Sequence, residues 1–154
     1  MERNSNKDPF EDLQADIIKK AREIYSEKVI ELWLHPRNLG KIENPQGFGK
    51  ITGGCGDAIE IYLRIRNDKI IEAKFLTDGC AATLASGSMA TELVLGKNIQ
   101  EAFKINQEMI LEKLDGLPEE NEHCAYLAST SLKSALIDYL ASKREPWKKA
   151  YKNP

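Results

Sequence analysis

The chain has 154 residues, with 22 lysines and arginines against 24 aspartates and glutamates, 42% hydrophobic residues and three cysteines. That length suits one ordinary domain, large enough to bury a core without staples. With 30% charged residues and no apolar run long enough to cross a bilayer, the composition excludes a membrane-spanning chain. A net charge of −2 argues against nucleic acid as the main partner, because duplex binding is driven largely by phosphate neutralisation. Met1 to Pro9 are polar and lack the apolar stretch of a secretion signal. The expected setting is therefore cytoplasmic and reducing, where an odd number of cysteines is no puzzle.

From Phe10 to Leu34 apolar residues recur at Phe10, Leu13, Ile17, Ile24, Ile30 and Trp33, behind Asp8 and Pro9 as cap and first-turn residue. This spacing predicts a helix, with Tyr25 marking a bend or a second segment. Pro36 ends it, and the proline- and glycine-bearing stretch from Pro36 to Gly49 reads as a connecting loop. Phe48 and Ile51 suggest a first strand. Ile59, Ile61, Leu63 and Ile65 alternate with Glu60, Tyr62, Arg64 and Arg66 and predict a second. Asn67, Asp68 and Lys69 supply a turn, after which Ile71, Ala73 and Phe75 alternate as a third strand, giving a hairpin with one face on a core.

Beyond Gly79 the residues become small and helix-compatible from Ala81 to Leu95, where Gly96 stops the helix. Asn98 can cap a short helix through Phe103, and Gln107 to Leu114 form another that stops at Asp115 and Gly116. The last helix, Ala125 to about Ser142, is expected to bury Leu127, Leu132, Ala135, Leu136, Tyr139 and Leu140 and to end before Pro146. The expected class is α+β: a small antiparallel sheet of about three strands, helices on one face, and long N- and C-terminal helices.

Each cysteine sits at a junction between elements and none lies on an obvious core face. Cys55 lies within Gly53, Gly54, Cys55, Gly56, Asp57 just before the second strand; Cys80 follows Asp78 and Gly79; Cys124 follows His123 at the start of the last helix. A cysteine at a helix N-terminus feels the positive end of the dipole, which favours the thiolate that binds metal or attacks sulfur, and Cys80 and Cys124 both qualify. The glycines around Cys55 and Cys80 let backbone approach a bulky inorganic group and free amides to point at sulfur. Three thiolates with one oxygen or nitrogen ligand, from Asp57 or His123, would complete a tetrahedral site for zinc or one edge of an iron-sulfur cluster. Scattered cysteines are also common core filler, and Asp57 could simply cap a turn after Gly56. His35, before Pro36, reads as a loop or capping residue.

At these residues the sequence resembles the IscU/NifU-type iron-sulfur cluster assembly scaffold family. The resemblance rests on Tyr25 to Val29; Pro36 to Gly40; Cys55, Gly56, Asp57; Asp78, Gly79, Cys80 with Ala85 to Ser88 and Ala90, Thr91, Glu92; Gly96, Lys97; Leu117, Pro118; and His123, Cys124. It implies a protein that is not an enzyme. Such a protein takes sulfur from a cysteine desulfurase, takes iron, holds a nascent [2Fe-2S] cluster and passes it to apo iron-sulfur proteins. By this resemblance Cys55, Cys80 and Cys124 are ligands, Asp57 and His123 compete for the remaining position, and Cys124 is the persulfide acceptor. The same thiolates could hold zinc or iron, so the alternative is a zinc-bound persulfide acceptor for a desulfurase.

Family members served by a dedicated Hsp70 chaperone carry a basic Leu-Pro-Pro-Val-Lys stretch before the last ligand pair. Here it reads Leu117, Pro118, Glu119, Glu120, Asn121, and the reversed charge argues against that partner. Gly53 and Gly54 stand where the family often has proline and alanine, which predicts a more mobile loop. The segment from Cys80 to Cys124 lacks the insertion of the related zinc-dependent sulfur-transfer proteins. The match implies three segments: an N-terminal helical extension, 1–24, that could cover the domain or pair two copies; a scaffold domain, 25–142; and a basic tail, 143–154, around Pro146 and Trp147.

Overall fold

Asp8 accepts a hydrogen bond from the Phe10 amide and Pro9 fills the first turn of α1 (Pro9–Ile24), as that capping pair predicts. The structure is a computed structural model describing residues 8–147; the polar start at 1–7 and the tail lysines Lys148, Lys149 and Lys152 lie outside the described residues. Tyr25 is extended, and Ser26 starts a separate helix, α2 (Glu27–Leu34). The Ser26 hydroxyl accepts from the Val29 amide at 3.2 Å and donates to the Leu114 carbonyl at 2.6 Å. Of the two readings at Tyr25, a bend or a second segment, the structure shows the second segment, divided where a serine cap outcompetes continuation. Phe10, Leu13, Ile17 and Ile24 remain exposed and only Ala21 of α1 is buried, so this helix rests on α2 without covering the domain.

The sheet has the order β1 (Gly47–Thr52), β2 (Ala58–Arg66), β3 (Lys69–Thr77), all antiparallel. Asn67 and Asp68 both take the left-handed conformation, with φ of 54° and 57°, which is the two-residue turn that matches strand twist. Ile59, Ile61, Leu63 and Ile65 are buried as their alternation predicts. In β3 the expectation needs correction. Arg64 faces Glu72 while Ile65 faces Ile70, so a bulge leaves Ile71 without an opposite residue. Ile70, Ala73 and Phe75 therefore enter the core and Ile71 is exposed.

The second layer comprises α3 (Ala81–Val94), α4 (Ile99–Phe103), α5 (Gln107–Lys113) and α6 (Glu122–Arg144), with a short 3-10 turn at Glu119–Asn121 before α6. Helix α3 packs on β3 and α6 on β1 and β2, with α2 and α5 against them. Asn98 forms a reciprocal capping box with Glu101, and Gly96, at φ +80°, terminates α3. Helix α6 begins three residues earlier than expected, so His123 and Cys124 lie inside its first turn, and it takes in Lys143 and Arg144. No helix among the described residues is long and apolar enough to cross a membrane.

Helix α6 runs antiparallel to β1 and nearly touches its backbone. A Cβ added to Gly47 would lie 2.6 Å from the Ala135 carbonyl oxygen; one added to Gly49 would lie 2.5 Å from both the Ala135 nitrogen and the Ser131 oxygen. At the far end of the strand, Gly53 faces Leu127. The other end of the helix is pinned to the β2–β3 turn, where Asp68 accepts from the Tyr139 hydroxyl at 2.6 Å and the Lys143 ammonium at 2.8 Å.

Two consequences can be measured. Gly49→Ala drives a methyl into backbone that has no rotamer to change, so the urea midpoint should report a loss of about 1–3 kcal/mol. Lys143 and Tyr139 hold the Asp68 carboxyl below its ordinary value. A depressed carboxylate stabilises the fold above its unfolded pKa and loses that contribution as pH falls through the folded one. Asp68→Asn should therefore lower stability slightly at neutral pH, less so at high salt, and the difference should vanish on acidification below the carboxylate range.

Candidate metal centre

Three backbone facts converge on one end of the molecule. The loop 53–57 joins β1 to β2, the segment 78–80 leaves β3 beside the start of β2, and α6 begins at the same end because it runs antiparallel to β1. The junction is lashed tightly. The Ala58 amide donates to Asp78 Oδ1 at 3.1 Å, the Thr77 hydroxyl donates to the Ala58 carbonyl at 2.6 Å, and the Gly79 amide donates to Thr77 Oγ1 at 3.1 Å. Gly53 closes the loop by donating to the Asp57 carbonyl at 2.8 Å.

Around this junction Thr83 connects the predicted site residues. It is completely buried, one turn into α3. Its hydroxyl lies 3.0 Å from Asp57 Oδ2, 3.3 Å from Cys124 Sγ and 3.6 Å from Cys80 Sγ. His123 Nε2 is 3.8 Å from Cys124 Sγ. Four of the five predicted residues, Asp57, Cys80, His123 and Cys124, thus form one connected group. Cys55 stands apart at the exposed loop tip, although its charge is felt at Cys124. Among the described residues no three histidines, cysteines or carboxylates are already gathered in ligating geometry. The glycines of the Cys55 loop leave it free to adjust: Gly54 and Gly56 have open space around them, and Gly56 sits at φ +92°.

The donor set suits a thiophilic metal or a cluster edge: three sulfurs, a carboxylate and an imidazole, with no bulky side chain on the glycine loop. The cysteines differ in environment. Cys80 is the N-cap of α3 and is exposed. Burial pushes its thiol up, but the Thr83 hydroxyl and the Thr83 and Ala82 amides outweigh this and leave it below the ordinary value. Cys124 is 1% exposed, contrary to the expectation that no cysteine lies on a core face. Burial, opposed by Thr83 and reinforced by the charges of Cys80 and Cys55, pushes its thiol up to about 11.

Thr83 escaped the sequence reading, while Gly79 and Tyr25, which it names, take on specific contacts. Thr83 follows Cys80 by three residues, the spacing at which a helix-capping side chain meets its first turn, and that spacing was the available signal. Gly79 is required by contact: a Cβ there would lie 2.7 Å from Thr83 Cβ and 2.8 Å from Asp57 Oδ2. Tyr25 packs beside the site, where burial and the charges of Cys80, Cys124 and Glu120 raise its hydroxyl pKa. His35 is a cap, its amide donating to the Glu31 carbonyl, and takes no part.

Residues 24–146 match the NifU-like N terminal domain. The chain belongs to this family. All five predicted site residues lie within the matched stretch, and most of α1 precedes it. The chain is 44% identical over 117 residues to iron-sulfur cluster assembly scaffold protein IscU 1 of Archaeoglobus fulgidus, covering 75% of this chain and 76% of that protein. It is 41% identical over 126 residues to the Escherichia coli K12 protein named iron-sulfur cluster assembly scaffold protein IscU, covering 79% and 97%. Among solved structures it is similar to a candidate iron-sulfur cluster assembly scaffold protein for the SUF system from Fervidobacterium islandicum AW-1. The TM-score is 0.61 at 29% identity, over 75% of this chain and 98% of that one.

The contrast among the thiols predicts an order of alkylation. With iodoacetamide at neutral pH and peptide mapping by mass spectrometry, Cys55 and Cys80 should react first. Cys124 should lag at least tenfold and gain reactivity as pH approaches about 11.

Proposed function

We propose that this chain is a non-catalytic scaffold on which a labile [2Fe-2S] cluster is assembled and from which it is transferred to apo iron-sulfur proteins. The reading rests on one observation above the others. Asp57, Cys80, His123 and Cys124 are joined through Thr83 at one end of the sheet, with Cys55 on an adjacent glycine loop, in a chain of the NifU-like family. Cys55, Cys80 and Cys124 serve as thiolate ligands, and Asp57 or His123 takes the remaining position. The protein acts in a reducing compartment, where its three free cysteines persist.

Sulfur arrives from a cysteine desulfurase. The Cys124 thiolate attacks the terminal sulfur of the desulfurase persulfide, the old S–S bond breaks, the desulfurase thiolate leaves, and Cys124 carries the persulfide. Two ferrous ions and two sulfane sulfurs yield a [2Fe-2S] cluster of charge +2 with two further electrons, which a one-electron donor protein must supply. His123, beside Cys124 Sγ, is placed to take the thiol proton.

A hard carboxylate is a poorer match than a fourth thiolate for a sulfide-rich iron centre, so a Cys3Asp set holds its cargo less firmly. The acidic turn at Glu119 and Glu120, next to α6, disfavours a chaperone that reads a basic motif there.

Anaerobic reconstitution with ferrous iron, sulfide and a thiol reductant should give visible charge-transfer bands and about two irons per site. Colourless protein that keeps one zinc and never accepts iron would replace this reading with the zinc-bound persulfide acceptor. Asp57→Ala leaves the remaining position to His123, a better match than a carboxylate for a sulfide-rich iron centre, so the cluster should stay on the protein several-fold longer in a transfer assay to an apo-ferredoxin. Equal half-times for variant and parent would remove that role from Asp57.

A further inference from the structure

Thr83 lies outside the ligand set, yet it touches more of that set than any ligand does. Its hydroxyl carries one hydrogen and stands within reach of three acceptors: Asp57 Oδ2 at 3.0 Å, Cys124 Sγ at 3.3 Å and Cys80 Sγ at 3.6 Å. The shortest of these contacts is to the carboxylate, so the threonine and the metal compete for Asp57. Two other features hold this competition in place. Thr83 is fully buried, so water cannot substitute for its hydroxyl. Gly79 leaves the space in which Thr83 and Asp57 meet, since a Cβ at that position would lie within 2.8 Å of both.

We infer that Thr83 is a positioning residue that acts as the latch for Asp57: it holds the carboxylate when the site carries no cargo, yields it to iron on loading, and recaptures it on release. This rests on the scaffold reading and adds to it the group that competes with iron for the carboxylate. While Asp57 is on iron, the hydroxyl hydrogen turns to a cysteine sulfur, where a charge-assisted bond replaces the one given up. When the iron–carboxylate bond breaks, the hydrogen turns back, and no proton leaves the hydroxyl at any stage. Release is favoured because the freed, half-buried carboxylate meets a waiting donor.

The latch predicts that losing the hydroxyl strengthens Asp57 as a ligand. Thr83→Val, which keeps the shape, should slow cluster transfer from the full-length protein by about tenfold, the size expected of a hydrogen bond to a charged acceptor. Thr83→Ser should restore the parental rate. Over Asp57→Ala the valine substitution should add nothing, since the latch then has nothing to hold. A second readout needs no cluster. Titration of the apoprotein with zinc alone should show tighter binding in Thr83→Val than in the parent, and no such gain over Asp57→Ala. Thr83→Ala repeats both measurements if the valine variant does not fold, with far-UV circular dichroism as the check. Unchanged transfer and unchanged zinc affinity in Thr83→Val, or equal changes with and without Asp57, would overturn the latch while leaving the scaffold reading intact. A parent protein that never accepts a cluster would overturn the scaffold reading, and the zinc titration would still decide the latch.

Discussion

The contact between β1 and α6 is the constraint on which the site depends. Gly47 and Gly49 remove the side chains that would otherwise hold the strand and helix apart, and the Ala135 and Ser131 backbone moves into the space. That approach fixes both the distance and the register between strand and helix. Once the register is set, the first turn of α6 must lie beside the loop that leaves β1. Cys124 is therefore joined through Thr83 to Asp57 and Cys80 although it is remote from both in sequence. On the other side of the core, Gly87 admits the Phe75 ring at a point where a Cβ would be 2.5 Å from a ring carbon, and this seats α3 on β3. A glycine inside a helix costs about 1 kcal/mol relative to alanine; here the cost is offset by burial of a whole aromatic side chain. The chain thus spends local propensity at three glycines to bring two helix N-termini to one end of one sheet.

Much of this was legible in the sequence because period and punctuation agreed. The alternation from Ile59 to Ile65, the Asn67–Asp68 turn and the Asn98 cap each name their element with little competition from tertiary packing. The errors have local causes. Alternation alone puts Ile71 in the core, but a bulge between Arg64 and Ile65, which nothing in the string marks, shifts the pattern by one residue. Periodicity starts α6 too late because Glu122 and His123 carry no apolar period, while the 3-10 turn before them supplies no side-chain cap. The division at Tyr25 and Ser26 was half visible: a serine in a periodic run can face solvent or cap a helix, and only the Leu114 carbonyl across the fold decides.

The candidate site was legible in its chemistry and not in its wiring. Cysteines, carboxylate and histidine stand out by type and by their glycine neighbours. Thr83 does not, since a threonine in an alanine-rich helix is an ordinary core residue until its partners are known. Spacing could not reveal that Cys124 is buried while Cys55 and Cys80 are exposed, because exposure here follows from which helix covers which loop.

That asymmetry bears on how such a site could both capture and let go. A ligand set built wholly on helices and strands would be rigid and would retain its metal; one built wholly on loops would cost too much entropy to order. Here Cys80 caps α3 and Cys124 sits on the first turn of α6, while Cys55 and Asp57 ride the short loop that joins β1 to β2. The helical half is seated by the glycine contacts. On the proposed scaffold reading the loop half has two alternatives of similar chemistry, in which Asp57 faces either the buried Thr83 hydroxyl or a metal ion. A site of this kind stores little strain, and its equilibrium is governed by the difference between two polar interactions rather than by the folding energy of the domain.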